Sequence, residues 1–352
     1  MLSERFGANK KSIINLSNNQ IYHLNEVNRK ILNKDYNLIS KPCVCEEDDT
    51  KYETISKVDR YGINLDSKFC MNCGTIRIDP YLDSNSLSDF YKNHYQHLYK
   101  RYYSIQDYFN KQEEYAKELE NLLIYKNINF ESIFEIGCGA GGAINYFKKK
   151  KYRVGGSEYS EELLKFINKS DMRNYVFSPD KVLNYDYDII FLYHVFEHID
   201  NPKNFLINVI KKMKTSSKII LTVPDYSRID LFRYPGGNLM HYIHIAHKFN
   251  FSYVSFIKLC DQLKLNVEDL LVNQKKSEFT VILGRENNLG NKTRYNDADF
   301  LYKYLISTEK KYNYFLTNGQ LKNLHYIFLR NIYESLPENI QFSLKKIKNY
   351  FR

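Results

Sequence analysis

A run of glycines that follows a single carboxylate is the stretch of this sequence whose residue types most clearly predict ligand binding. Residues 132–142 read SIFEIGCGAGG, so an apolar run reaches Glu135 and then breaks at Gly137, Gly139 and Gly141. Glycine lets the backbone turn sharply and lets a ligand lie against bare main chain, and a helix that follows offers free N–H donors. The pattern therefore predicts a strand, a tight ligand-binding loop and a helix.

Two classes of cofactor fit the glycine spacing. Gly137, Gly139 and Gly142 satisfy the G-x-G-x-x-G fingerprint of dinucleotide-binding loops. Glu158, which ends the next β-type run, is placed to accept hydrogen bonds from the ribose hydroxyls of either cofactor. Glu135 separates the two classes, because a carboxylate at this point repels a pyrophosphate and attracts the ammonium of a methionine group. The pattern E-x-G-x-G-x-G therefore favours S-adenosylmethionine over NAD.

Four of the six cysteines form two close pairs, Cys43 with Cys45 and Cys70 with Cys73. In a reducing compartment, cysteine pairs of this kind more often bind a metal ion than form disulfides. The second pair has the C-x-x-C-G spacing of a zinc knuckle, whereas the first pair is C-x-C. Four thiolates suit tetrahedral zinc and leave no open position for water, so we expect a structural Zn²⁺ ion. The alternative is four ordinary buried or free thiols.

Alternating strand-type and helical patterns surround the glycine loop and predict an α/β fold. A helical pattern at 107–125 precedes the loop and should pack as a cap over the cofactor. Further strands are predicted at 153–158, 175–177, 187–193 and 219–223, with a closing pair at 269–272 and 278–283. Further helices are predicted at 143–151, 160–168, 201–214 and 252–265.

These segments, with YDIIFLYHVFEHI at 187–199 and KIILTVPD at 218–225, resemble the class I S-adenosylmethionine-dependent methyltransferases over roughly residues 130 to 285. The resemblance implies an α/β fold with a Rossmann-like core of seven strands. It also implies that His194 passes close to the methionine part of the cofactor and that Asp180 bonds the adenine amino group.

The cysteine pairs resemble the small zinc-binding module that precedes the core of bacterial deoxysugar C-methyltransferases. The stretches at 77–80 and 87–95 are similar to the linker that follows the module in those enzymes. The resemblance implies that a tyrosine of this linker, Tyr95 or Tyr99, reaches the substrate. The alternative is that these aromatic residues only cover the core.

Histidines supply the candidate proton acceptors. The segment His247 to Ser252 resembles the E-H-x-x-x-F-S phrase of the sugar C-methyltransferases, but Ala246 stands where that family has a catalytic glutamate. We therefore expect methylation of oxygen, or of carbon with His247 alone as the base, since neutral imidazole is a suitable base near neutral pH. Glu197 and His198 are further catalytic candidates, or they cap and orient the next helix.

A three-histidine metal site at His241, His244 and His247 is disfavoured, because the sequence shows no carboxylate residue that would act as a further ligand.

By resemblance, the acceptor is a sugar or nucleotide-linked sugar in surface-glycan assembly. The first alternative is a quinone or phenol O-methyltransferase, which shares the glycine loop but has no need of the cysteine pairs. A nucleic-acid methyltransferase is less favoured, because HVFE at 194–197 replaces the N-P-P-Y or D-P-P-Y tetrapeptide of enzymes that methylate base amino groups.

Composition adds expectations about partners and location. The net charge is +10, and residues 301–352 hold nine Lys/Arg against three Asp/Glu. That basic end could contact an acidic membrane surface, an anionic substrate or another subunit, with a solvated face as the default. The sequence has no run of about 18 apolar residues and no signal-peptide pattern, so we expect a cytoplasmic protein.

Five regions are predicted along the chain. They are an extension at 1–40, a zinc module at 41–80, a helical linker at 81–126, the methyltransferase core at 127–288 and a basic helical region at 289–352.

Overall fold

The computed structural model describes residues 1–46, 51–99, 104–179, 184–231, 238–273, 276–285 and 298–318. The strands are β1 Leu38–Ile39, β2 Tyr52–Ser56, β3 Ser67–Cys70, β4 Ile76–Ile78, β5 Tyr81–Leu82, β6 Ser132–Ile136, β7 Arg153–Ser157, β8 Val176–Phe177, β9 Ile189–Tyr193, β10 Lys218–Pro224, β11 Phe249–Asn250, β12 Asn266–Asn273 and β13 Glu278–Gly284. The α-helices are α1 Asn18–Leu32, α2 Ser84–Phe90, α3 Gln96–Tyr99, α4 Ile105–Tyr125, α5 Gly142–Lys149, α6 Glu161–Ile167, α7 Pro202–Lys212, α8 Tyr253–Gln262 and α9 Ala298–Asn318. A π-helical segment, Tyr91–Tyr95, joins α2 to α3.

Seven strands form one sheet in the order β12-β13-β10-β9-β6-β7-β8. The neighbours from β8 to β10 are parallel, while β13 is antiparallel to both β10 and β12. The chain starts at β6, passes outward to β8 and returns to β9, so the strand order reverses between β6 and β9. Open α/β sheets bind ligands beyond the carboxyl ends of the strands at such a point. The expected Rossmann-like core of seven strands is confirmed.

Helices cover both faces of this sheet. Successive strand residues point to opposite faces, so Ile133 and Phe134 of β6 enter different apolar clusters. Ile133 packs with buried residues of α4 and α5, whereas Phe134 shares a cluster with residues of α7 and α8. Burial on both faces holds the carboxyl end of β6 in one place, which is where the glycine loop begins.

A second sheet of four strands has the order β11-β4-β3-β2. Three of its strands and all four paired cysteines belong to residues 41–80, which we call the cysteine module. Its fourth strand, β11, comes from the segment just before α8, with Phe249 opposite Arg77 and Asn250 opposite Ile76. The cysteine module and the segment after His247 are therefore joined by backbone pairing.

The N-terminal residues pack on distant parts of the chain. Helix α1 begins with a capping box formed by Ser17 and Gln20, and it contacts the segment from Tyr91 to Tyr99. Arg5 forms a salt bridge with Glu309 of α9, whose side chain is buried. Within the described residues, no helix has the length and apolar character needed to cross a membrane. The basic end that was expected to contact a membrane or partner lies mostly outside them, from residue 319 onward.

Candidate active site

The glycine loop connects β6 to α5 and lies directly beneath α4. Gly137, Gly139 and Gly141 all have positive φ angles, of 73°, 57° and 84°, which non-glycine residues rarely adopt. A Cβ atom on Gly139 would lie 2.4 Å from Gln112 Nε2 and 2.6 Å from the Tyr108 hydroxyl. Glycine is required here for both backbone angle and space, because polar side chains of α4 pack directly against it.

Glu135 ends inside the protein beside this loop. Its side chain is 2% exposed, and the Tyr115 hydroxyl donates to Oε1 at 2.5 Å. Burial raises the pKa of Glu135 to about 8, although the Tyr115 hydrogen bond opposes that shift. Oε2 has no hydrogen-bond partner among the described residues. A buried oxygen of this kind suits a cationic N–H donor, which would both bond it and balance its charge.

Glu158 links the next strand to the glycine loop. Its Oε2 accepts the Gly139 N–H at 2.8 Å, and its Oε1 accepts the N–H groups of Tyr159 and Ser160 at 2.8 and 2.7 Å. Burial raises its pKa, against the effect of these bonds. Because a carboxylate oxygen offers two acceptor sites, Oε2 of Glu158 can still accept one hydroxyl group.

Helix α4 contributes polar side chains that the sequence interpretation treated only as packing. Gln112 donates from Nε2 to the Cys138 carbonyl at 2.8 Å and accepts the Gly142 N–H at 3.2 Å. Gln112 is buried, and it lies between Tyr108 and Tyr115 on one face of the helix. A glutamine among the apolar positions of this helix could have indicated a buried amide. The sequence gives no indication of the groups that this amide bonds.

His194 lies at the carboxyl end of β9 between two carboxylates. Its Nε2 is 2.9 Å from Glu278 Oε2, and its Nδ1 is 3.7 Å from Glu197 Oε1. The neighbouring Tyr193 ring stacks on Tyr115 with centroids 4.3 Å apart, which connects this histidine to the side of the site that holds Glu135. Glu278 was missed from the sequence because it begins β13, a strand that is distant in the chain.

Glu197 brings together the catalytic candidates. It is 1% exposed, and its Oε1 lies 3.8 Å from Nε2 of His247. The other ring nitrogen of His247 is 3.3 Å from Asn250 Oδ1, and His198 Nδ1 is 2.7 Å from the Ala246 carbonyl. One donor atom each from Glu197, His198 and His247 lie within 4.8 Å of one another, so this group could move a proton or hold a divalent cation.

The linker tyrosines reach the same region through a stack of rings. Tyr95 stacks on Tyr99 with centroids 4.8 Å apart, and the Tyr99 hydroxyl lies 2.8 Å from His244 Nδ1. Burial raises the pKa of Tyr99 well above its usual value, so its hydroxyl stays neutral. The His244 ring lies 3.6 Å from that of His247. His241 is exposed, so it is outside this arrangement.

The four paired cysteines converge on one point in the cysteine module. Sγ of Cys43 lies 3.5 Å from that of Cys73, Sγ of Cys45 lies 3.7 Å from that of Cys70, and all four are within 4.8 Å of one another. Zinc–sulfur bonds of about 2.3 Å in a tetrahedron would place sulfurs about 3.8 Å apart. Hydrogen bonds from the neighbouring thiols hold the pKa of Cys70 well below its usual range. The donor set therefore fits zinc.

The expected adenine ligand, Asp180, lies outside the described residues.

Comparison with protein families identifies part of the chain. Residues 106–269 match a family model described as a methyltransferase domain. The matched span runs from α4 into β12 and contains the glycine loop, Glu135, Glu158, the stretch from His194 to His198, and His247. No curated protein matches the chain.

Solved structures give only a coarse likeness. An S-adenosylmethionine-dependent methyltransferase from Clostridium acetobutylicum is 12% identical and covers 57% of this chain and 100% of its own, with a TM-score of 0.39. The PH0226 protein from Pyrococcus horikoshii is 18% identical and covers 54% and 97%, with a TM-score of 0.41. The plantazolicin methyltransferase BpumL is 13% identical and covers 58% and 92%, with a TM-score of 0.40. Likeness at this level carries no information on the acceptor.

The tight fit of the glycine loop under α4 gives a first prediction. Gly139→Ala should lower the free energy of unfolding by about 1 to 3 kcal/mol, because the new methyl group meets Tyr108 and Gln112 at an unfavourable φ. Urea denaturation of both proteins measures the difference. Gly284→Ala is the control, since the closest atom to its new methyl group is the end of the flexible Glu268 side chain. Equal stability of Gly139→Ala and the parent would contradict the described loop.

Proposed function

We propose that this chain, whose residues 106–269 match a methyltransferase domain, binds S-adenosylmethionine on the glycine loop and methylates a sugar or nucleotide-linked sugar. The reaction would be methylation of oxygen or carbon in surface-glycan biosynthesis. The observation behind the cofactor site is the buried Glu135 carboxylate with one unbonded oxygen beside the loop. When bound, the cofactor supplies an activated sulfonium methyl group.

Glu135 is proposed to hold the ammonium of the methionine part. An ionised carboxylate at 2% exposure is unfavourable unless a cation and hydrogen bonds balance it. An ammonium provides both, whereas a pyrophosphate would add a second negative charge. Glu158 is proposed to accept a ribose hydroxyl through Oε2 while its bonds to backbone N–H groups keep it in place. His194, which lies between Glu197 and Glu278, is proposed to line the cofactor side of the acceptor space.

His247 is proposed to take the proton of the acceptor. Glu197 Oε1 lies 3.8 Å from Nε2 of His247, so its carboxylate would balance the positive charge that the imidazole gains with the acceptor's proton. The oxygen of Asn250 fixes the other nitrogen, which orients the ring. Ala246, a buried residue, stands where the sugar C-methyltransferases have a catalytic glutamate. Glu197 would then supply the carboxylate that this position lacks. His198 and Tyr95 are proposed to border the same acceptor space. They would contribute by positioning the acceptor, because positioning provides much of the rate acceleration in methyl transfer.

An aromatic acceptor such as a phenol is the second candidate. The stacked rings of Tyr95 and Tyr99 support it, because a flat ring could continue such a stack. Incubation with S-adenosylmethionine labelled in the methyl group and a panel of keto sugars, hydroxy sugars and phenols separates the two. A labelled sugar supports the first proposal, and labelling of phenols alone overturns it.

The cysteine module is proposed to hold one structural Zn²⁺ ion through Cys43, Cys45, Cys70 and Cys73. The sulfur separations support this assignment, as does burial of all four thiols. Zinc would fix the turn between β3 and β4 without contacting the acceptor.

The cofactor proposal predicts a dependence of affinity on pH. Glu135→Gln should weaken binding of S-adenosylhomocysteine about 10- to 100-fold, because it replaces the charge-assisted hydrogen bond between carboxylate and ammonium with one to a neutral amide. Burial raises the pKa of Glu135 to about 8, so below that pH the binding of an ammonium must release a proton. Parent affinity should rise by up to about tenfold per unit between about pH 6 and about pH 7.5, and the variant should show little change.

Isothermal titration calorimetry measures both effects on cofactor affinity. Glu131→Gln is the matched control, because Glu131 is exposed just before β6. Identical affinity in Glu135→Gln and the parent would contradict the proposal, as would tighter binding of NAD than of S-adenosylhomocysteine.

The proposed base predicts a separation of turnover from cofactor binding. His247→Asn should lower kcat about 100- to 10,000-fold with the acceptor found by the panel, while affinity for S-adenosylhomocysteine changes less than about twofold. Steady-state kinetics and calorimetry provide the two values. His241→Asn is the control, since His241 is exposed in the same stretch. A parallel loss of turnover and cofactor affinity in His247→Asn would reject its role as base.

The metal proposal predicts one zinc per chain by elemental mass spectrometry of the purified protein. Cys70→Ser should reduce the zinc content to about half or less, because it removes one of four ligands. Cys260→Ser should leave it unchanged, since this buried cysteine is in α8 and outside the four-sulfur group. A metal-free protein with four freely reactive thiols would disprove the site.

A further inference from the structure

The segment from His241 to Lys248, which we call the histidine loop, is held at both ends by the cysteine module. Near its start, the backbone N–H of Arg60 donates to the Ile243 carbonyl at 2.9 Å. At its end, the N–H of Ile78 donates to the Lys248 carbonyl at 3.0 Å, and the pairing of β4 with β11 continues from that point. The position of the loop backbone is therefore set by residues more than 160 positions earlier in the chain.

The middle of the histidine loop has its own two attachments. Ile245 N–H donates to Asp59 Oδ2 at 3.0 Å, and the Tyr81 hydroxyl donates to the Ile245 carbonyl at 2.7 Å. Ile245 follows His244 directly and precedes His247 by two residues. The backbone N–H and carbonyl of Ile245 are thus both bonded to side chains, those of Asp59 and Tyr81. These two bonds fix the direction of the loop between its two buried histidines.

Asp59 is arranged to make this attachment. It is 1% exposed in the turn between β2 and β3, and its Oδ1 accepts the N–H groups of Tyr61 and Ile63, both at 2.9 Å. One oxygen therefore holds the turn of the cysteine module and the other holds the histidine loop. Burial raises its pKa to about 6 against the effect of these bonds. Burial of a carboxylate costs free energy unless hydrogen bonds compensate. Packing alone therefore does not account for Asp59 at this position, whereas its hydrogen bonds do.

We propose that Asp59 is a positioning residue, which fixes the histidine loop so that His247 faces Glu197 and His244 faces Tyr99. Asp59 does not touch a reacting group and acts through the backbone of Ile245. The cysteine module would then serve the reaction by holding this loop in place. This inference rests on the proposed role of His247, and the experiment below tests the two separately.

Asp59→Asn is the selective variant. Its amide oxygen can replace Oδ1 and keep the two bonds within the turn, while its NH₂ group would face the Ile245 N–H, donor against donor. In the full-length protein saturated with S-adenosylhomocysteine, hydrogen exchange of the peptide covering residues 243–248 should become at least about tenfold faster. With the acceptor found by the panel, kcat should fall about 10- to 100-fold, with cofactor affinity within about twofold of the parent.

Two further variants complete the test. Tyr81→Phe removes the other attachment of Ile245 with little change in shape, and it should also speed exchange in residues 243–248 and lower kcat. Asp79→Asn is the control in the same module, because the described hydrogen bonds of that side chain run to residues 40, 41, 68 and 77. It should lower the melting temperature but leave exchange in residues 243–248 and kcat near parent values.

The outcomes separate clearly. Faster exchange with lower kcat and unchanged cofactor affinity, in both Asp59→Asn and Tyr81→Phe, supports the proposal. Unchanged exchange in both variants overturns it, as does fast exchange with parent turnover or an equal loss of turnover and cofactor affinity. A parent-like kcat in His247→Asn would refute the base instead, and exchange in the Asp59 variant would still report whether the loop is anchored there.

Discussion

A carboxylate that is enclosed by protein must be matched by a positive charge or must keep its proton, and this constraint organises the catalytic domain. Glu135 is enclosed because β6 is covered on both faces and α4 closes the space above the glycine loop. Tyr115 satisfies one carboxylate oxygen, and the other remains for a ligand. The conformation of the loop, the bonds of Glu158 and the position of α4 together enclose that one charge.

Buried carboxylates also lie near the carboxyl end of β9, where imidazoles are their neighbours. His194 lies between Glu278 and Glu197, and His247 lies on the other side of Glu197. A proton taken up by an imidazole in such an arrangement would place a positive charge beside a carboxylate, which stabilises that charge. A loop with these histidines has to be placed accurately, because a displacement of about 1 Å breaks contacts of this length.

The sequence was sufficient for the elements whose signal is local. Glu135, the three glycines and the helical pattern after them predicted the strand, loop and helix at this point, and the family resemblance implied the seven-stranded sheet. The partners of these residues were not predictable in the same way. Gln112, Glu278 and Asp59 have no distinctive neighbours in sequence, and their roles follow from contacts with residues 26, 84 and 186 positions away. Likewise, Ala246 indicated a missing carboxylate, while only the fold places Glu197 beside His247.

The pairing of β4 with β11 has a consequence for how such a protein can change over generations. Backbone pairing between the cysteine module and the later segment that contains β11 makes each depend on the other, since either alone would expose an open sheet edge. Exchange of the early segment by genetic recombination would succeed only where the incoming strand matches the alignment of Arg77 with Phe249.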